Sequence, residues 1–287
     1  MLVTLKDILK LAEEKSFAVG SFNVPNLESL EAIMGAAEEL QLPVIIQFAQ
    51  GHETIANFDT LAPVMLTAAK AATVPVCVHL DHGETVEYVE KALKLGCTSV
   101  MYDGSVLPYA ENLANTRKVV QMAAAYGASV EAELGSMGVR ESGAGDGSGN
   151  TDPTKIYTDP HQAKEFVEAT GVDALACSFG TTHGIYLTKP RLDFNVVKQV
   201  RELTGGIPVV MHGGSGVSRE DFRSAIQAGV RKINYFTYMD KSGGTAAAEW
   251  IKKLAEGKPV FFTDLSVAAR AAMKENVKEA MTTFAMR

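Results

Sequence analysis

Short runs of β-branched and aliphatic residues alternate along this chain with helix-length stretches in which apolar residues recur three and four positions apart. That alternation is the pattern of βα units building a parallel sheet. Eight runs carry the strand signal: FAVGSFNV (17–24), PVIIQFA (43–49), PVCVHLDH (75–82), TSVMYDGS (98–105), SVEAELG (129–135), ALACSFG (174–180), PVVMHGGS (208–215) and KINYF (232–236). Pro43, Pro75 and Pro208 each open a run, where a missing N–H costs least. Between the runs, LESLEAIMGAAEEL and AENLANTRKVVQMAAA set charges opposite an apolar stripe, as helices of an outer ring would. Eight strands with a helix after each predict a closed (β/α)8 TIM barrel. Two extra C-terminal helices, near 244–256 and 263–285, are expected to close the barrel or to carry an oligomer contact. The opening MLVTLKDILKLAEEKS has helical spacing at Leu2, Leu5, Ile8, Leu9 and Leu11 and is predicted as a cap helix. The Gly, Ser and Asp-rich segment 136–157 is long for a βα connection, which points to a functional loop.

Composition narrows the class. With 287 residues and 46% hydrophobic side chains, the chain lies near the ~250-residue norm of such barrels, so one domain spanning 1–287 is expected. Acids outnumber bases 34 to 27, and the net charge of −7 argues against a broad nucleic-acid footprint. Cys77, Cys97 and Cys177 lack CxxC spacing and sit among apolar neighbours, as reduced core thiols do. No apolar run approaches the ~18 residues of a membrane span, and the N-terminal segment lacks the apolar stretch of a secretory leader, so a cytoplasmic protein without membrane contact is expected.

In a barrel, polar residues at the C-terminal ends of strands face the mouth shared by the βα loops. Those ends are loaded here, with Asn23, then His79, Asp81 and His82, then Asp103, then Glu131 and Glu133, then His183, His212 and Asn234. Neutral imidazole is a good zinc ligand, and three histidines with an open fourth position suit a catalytic site. His82, His183 and His212 are the candidate set, with Glu133 as a fourth or alternate ligand. Spacing carries no local metal signature, so hydrogen-bonded mouth histidines are the alternative. His79 shares a strand face with Asp81 and is expected to line the core or support a ligand. His52 and His161 fall in loop or helix-start segments and are expected at the surface. HGGSG (212–216) leads into a helix for which Ser218 is the expected N-cap, with Asp221 three residues on. Its backbone N–H groups can surround a phosphate, with Asn234 and Thr237 of the last strand, KINYFTYM, adding hydrogen bonds; a plain turn is the alternative. GTTHG (180–184) is a further tight glycine turn.

With SFNV (21–24), HLDHG (79–83), EAELG (131–135), GTTHG and the following YLTKPRLDF, HGGSG and KIN (232–234) in order, the sequence resembles the class II, metal-dependent fructose-bisphosphate and tagatose-bisphosphate aldolases. The resemblance implies that His82, His183 and His212 bind zinc, that Asp81 is the catalytic acid/base and that Glu133 lies beside the metal. It places Gly184, Gly213, Ser215, Asn234 and Thr237, with Asn23, around the dihydroxyacetone phosphate half of a ketose phosphate. Glu141 falls where the family has a mobile-loop glutamate that exchanges a proton with the enediolate. The cofactor implied is Zn2+, with a monovalent cation as a candidate second ion, in a homodimer or homotetramer. Two departures stand out: Ala49 replaces a common serine, and YFTYMDKSGG (235–244) is bulkier than the usual continuation. The expected reaction is therefore reversible cleavage of a ketose phosphate to dihydroxyacetone phosphate and an aldehyde. The rivals are a sugar-phosphate isomerase or epimerase and a non-catalytic sugar-phosphate-binding barrel. A Schiff-base route is disfavoured because Lys232, which begins a strand, is the one lysine near the mouth.

Overall fold

In the computed structural model, which describes residues 1–135, 157–181, 190–255 and 257–287, strand and helix alternate as the pattern requires. The order is β1 (Leu2–Val3), α1 (Leu5–Lys15), β2 (Val19–Asn23), α2 (Leu27–Leu40), β3 (Val44–Ala49), a 3-10 turn (Gln50–Thr54), α3 (Phe58–Ala71), β4 (Val76–Gly83) and α4 (Val86–Leu95). It continues with β5 (Ser99–Tyr102), α5 (Tyr109–Ala125), β6 (Ser129–Leu134), α6 (Pro160–Thr170), β7 (Ala174–Cys177) and α7 (Phe194–Leu203). The last elements are β8 (Val209–Met211), α8 (Arg219–Ala228), β9 (Val230–Tyr235), α9 (Thr237–Lys253) and α10 (Phe262–Phe284). Strands β2 to β9 pair in parallel, each with the next, and β9 returns to β2, closing an eight-stranded (β/α)8 barrel. Two residues at the N-terminus add the short β1 beside Val76 and Cys77, an element the spacing had assigned to helix.

Local chemistry sets the helix ends. Thr4 and Asp7 form a reciprocal capping box on α1, and Ser16 ends that helix in a left-handed turn. Ser218 caps α8 by accepting from Asp221 N–H at 3.1 Å, as its sequence position predicts. Leu5, Ile8, Leu9 and Ala12 of α1 are buried with Val19, Ile45, Cys77 and Val210, so this helix plugs the N-terminal end of the barrel. The larger apolar cluster lies between the sheet and the outer helices, where Phe22, Ile46, Phe48 and Val78 meet Ile33, Phe58 and Met65. Pro43, Pro75 and Pro208 each stand one residue before a strand rather than at its first position.

The C-terminal end departs further from expectation. The chain turns helical at Thr237, directly after β9, so Thr237 is the first residue of α9 rather than part of a strand. Strand β9 is matched to β2 from Val19↔Lys232 to Phe22↔Tyr235, one residue short of the end of β2 at Asn23. Helix α10 packs along α2 and α9, burying Met273, Val277, Met281 and Phe284. Lys232 lies inside β9, not at its start, with its ammonium fully buried in the barrel. No helix among the described residues is long and apolar enough to cross a membrane.

Candidate active site

Inside the barrel the apolar plug ends after one layer. Above it Ser21, Gln47, His79, Ser99, Glu131 and Lys232 are all fully buried, and above them Asn23, Asp81, Glu133, His212 and Asn234 line the mouth. A polar interior of this kind is stable only when each group is paired. Lys232 Nζ lies 2.9 Å from Glu131 Oε2 and donates to Asn234 Oδ1 at 2.8 Å. Lys232 and His212 hold the Glu131 carboxyl at about 2 against the upward push of burial. His79 is 3.6 Å from the same carboxylate and 2.8 Å from Ser99 Oγ through its other nitrogen. Burial first, and Lys232 next, push its imidazole down to about 3, so it lines the core as a neutral ring, as its strand face predicts.

Asp81 stands at the centre of the mouth. Its Oδ1 accepts from Asn234 Nδ2 at 3.0 Å, and its Oδ2 accepts from Asn23 Nδ2 and Gln47 Nε2, each at 3.0 Å. Gln47 is itself oriented by Asn23 Oδ1 at 2.9 Å and by the Ser21 hydroxyl. Burial would raise this carboxyl, but His82, His212, Lys232 and His79 outweigh it and hold it well below the usual range. A carboxylate kept ionised and fixed by three amide donors is a positioned proton acceptor.

His82 follows Asp81 directly, and strict strand alternation would turn it out of the barrel. Instead the β4–β5 register shifts between Leu80 and Gly83, and His82 adopts a left-handed φ of 43°. A non-glycine residue rarely holds that backbone, and its presence here turns the imidazole back to the mouth. His82 Nδ1 lies 2.9 Å from Asp103 Oδ2, His212 Nε2 lies 2.8 Å from Glu131 Oε1, and the remaining nitrogens, His82 Nε2 and His212 Nδ1, converge to 2.9 Å. An imidazole whose far nitrogen is held by a carboxylate is the arrangement that orients histidines on a metal.

The charge balance points the same way. Asp81, Asp103, Glu131 and Glu133 are buried together, and Glu133 Oε2 has no hydrogen-bond partner in the described surroundings. Burial, and next the Asp103 charge, push Glu133 well above its ordinary value. Burial opposes charge on His82, but Asp81 and Asp103 override it and raise that imidazole. Burial lowers His212. Donor atoms of Asp81, His82 and His212 lie within 4.8 Å of one another, and so do those of His82, Asp103 and Glu133. An excess of buried carboxylate, an orphaned carboxylate oxygen and two converging imidazole nitrogens fit a divalent cation such as zinc. Asp103→Asn is expected to weaken zinc binding about 10- to 100-fold in a chelator competition, because His82 loses the carboxylate that orients it; unchanged affinity would exclude that role.

The glycine loop 212–216 runs from β8 to α8 with Gly213 at φ 63° and Gly216 at φ 95°. Gly214 N donates to Asn234 O at 3.1 Å, and a Cβ at Gly214 would stand 2.7 Å from that oxygen, so the loop lies against the end of β9. Ser215 is buried, and its Oγ accepts from Phe236 N–H at 3.3 Å. His183, Gly184 and Glu141 lie outside the described residues. His161 is exposed as expected, but His52 is not: it is 5% exposed and packs 5.0 Å from the Phe236 ring. Asp103 and Glu131 were expected at the mouth but had no partner assigned, and Gln47 was not singled out although it lies two residues before Ala49 on the same strand face; the Asp103 and Lys232 contacts have no local signal.

The comparisons with known proteins agree with this geometry. Residues 3–287 match the family described as fructose-bisphosphate aldolase class-II. The fructose-bisphosphate aldolase of Staphylococcus aureus (strain Mu50) is 38% identical over 288 aligned positions, covering 99% of this chain and 97% of that protein. The crystal structure of the YdjI aldolase from Escherichia coli K12 superposes with a TM-score of 0.86 at 36% identity, covering 99% of this chain and 97% of that one.

Proposed function

Because this chain belongs to the class-II fructose-bisphosphate aldolase family and is an aldolase, a carbon–carbon lyase, we propose that it reversibly cleaves a ketose phosphate to dihydroxyacetone phosphate and an aldehyde at a zinc centre. The observation that carries this reading is the pair of imidazoles, His82 and His212, converging beside an amide-locked Asp81. We assign His82, His212 and His183 as the zinc ligands, with Glu133 beside the metal. A bound divalent cation supplies the Lewis acidity that stabilises the negative charge left on the three-carbon fragment when the bond breaks.

The chain's own groups handle the protons and the phosphate. Asp81 takes the proton from the hydroxyl of the carbon that becomes the aldehyde and returns it in condensation. Its ionised state and its fixed oxygens suit the cleavage direction without prior deprotonation. Glu141 is assigned to the proton at the nucleophilic carbon of dihydroxyacetone phosphate. Gly213, Ser215 and Gly184 hold the phosphate by backbone and hydroxyl donors, with Asn23, Asn234 and Thr237 at the three-carbon fragment. Lys232 supports the metal route over a Schiff base, since its nitrogen is engaged by Glu131 and Asn234.

The test is a screen of ketose mono- and bisphosphates with coupled detection of dihydroxyacetone phosphate. At least one substrate is expected to release it, and removal of the metal by chelation is expected to stop the release. A ketose converted to its epimer or isomer with no three-carbon product would replace this reading.

A further inference from the structure

His52 is a buried group at the barrel mouth to which metal binding and proton transfer give no task. It sits in the 3-10 turn that follows β3, and β3 ends at Ala49, paired in register with Asp81. Its ring stands edge-on to Phe48 at 6.2 Å and tilted against Phe236 at 5.0 Å. Phe236 N–H in turn bonds Ser215 of the glycine loop, so the two rings span the gap between that loop and the end of β3. His52 Nδ1 is buried and has no hydrogen-bond partner among the described residues. A polar atom left unpaired in a packed site costs free energy unless a ligand or water completes it.

The surrounding charges say what kind of ligand fits. Asp81, Asp240 and His82 are the charged groups that reach the ring. Burial holds its imidazole below the usual value, so it offers one N–H and one lone pair and no net charge. Two carboxylates nearby are hostile to a phosphate. A neutral hydroxyl, which both donates and accepts, is the complementary group.

We propose that His52 is a specificity residue that hydrogen-bonds a hydroxyl on the aldehyde-derived half of the substrate. The inference rests on the ketose-phosphate reading above. It places recognition of the leaving aldehyde at the β3 turn, across the Phe236 ring from the loop assigned to the three-carbon phosphate. A site built to bond a substrate hydroxyl discriminates strongly against analogues that lack it.

The test runs in the condensation direction, with zinc-loaded enzyme, dihydroxyacetone phosphate and two pairs of aldehydes. Glycolaldehyde and D-glyceraldehyde carry the adjacent hydroxyl, while acetaldehyde and propionaldehyde do not. His52→Phe is expected to lose about 10- to 100-fold in kcat/KM for the hydroxylated pair, so that the preference over the other pair collapses. His52→Gln, which keeps a donor and an acceptor, is expected to recover part of that preference. An equal loss on both pairs, or no loss on the hydroxylated pair, overturns the assignment. Solvent exchange of the dihydroxyacetone phosphate proton, which needs no aldehyde, separates the two readings. If the unsubstituted enzyme shows no exchange, the ketose-phosphate reading fails and takes this one with it; exchange without aldehyde discrimination overturns His52 alone.

Discussion

His212→Ala is expected to lose zinc and turnover together, with kcat falling on the order of 10³-fold or more, the scale of removing a principal stabiliser of developing charge. The side chain is fully buried, its Nδ1 is one of the two converging nitrogens, and Glu131 fixes the ring from behind. Asn234 and Glu131 are already committed to Asp81 and Lys232, which leaves Glu133, with an oxygen 3.9 Å from His212 Nδ1, as the nearest other donor. Metal content by elemental analysis and thermal unfolding, measured on the same sample, separate loss of the ion from loss of the fold. A folded variant that keeps full metal content would remove His212 from the ligand set. Chelation of the unsubstituted enzyme should give the same inactive state, and added zinc should restore it.

Asp81→Ala is expected to keep the metal and lose about 10²- to 10⁴-fold in kcat, the range for a general acid/base. Asp81 accepts three amide hydrogen bonds, which engage both its oxygens, in keeping with the proposal that the imidazoles hold the metal. Asp81→Asn serves as the companion variant, since it keeps the shape but presents an amide N–H to the donors of Asn234 or of Asn23 and Gln47. Both variants should turn over slowly at normal metal content. Loss of zinc in the alanine variant would move Asp81 from proton transfer to metal ligation, a role its place within 4.8 Å of the histidine donors allows. Near-normal turnover would remove it from the mechanism.

The sequence by itself determined the barrel, because alternating periods of two and 3.6 record which face of each element is buried, and eight repeats leave few ways to bury them all. It also placed Asp81, His82, His212, Glu133 and Asn234 at strand ends, since a parallel barrel sends every such end to one mouth. The α1 plug was legible too, from Leu5, Ile8 and Leu9 on one helix face. Tertiary structure decided the rest. Adjacent residues such as Asp81 and His82 share a mouth only because a register shift and a left-handed turn break the alternation, and both depend on pairing with β5. The carboxylates that orient the histidines, Asp103 and Glu131, come from other strands at contacts of 2.9 and 2.8 Å that no local spacing encodes. β9 stops at Tyr235 and the chain turns into α9 at Thr237, although the residues beyond still read as strand. His52 looked like a surface residue because burial by Phe48 and Phe236, which lie far apart in the chain, is settled only when the barrel closes.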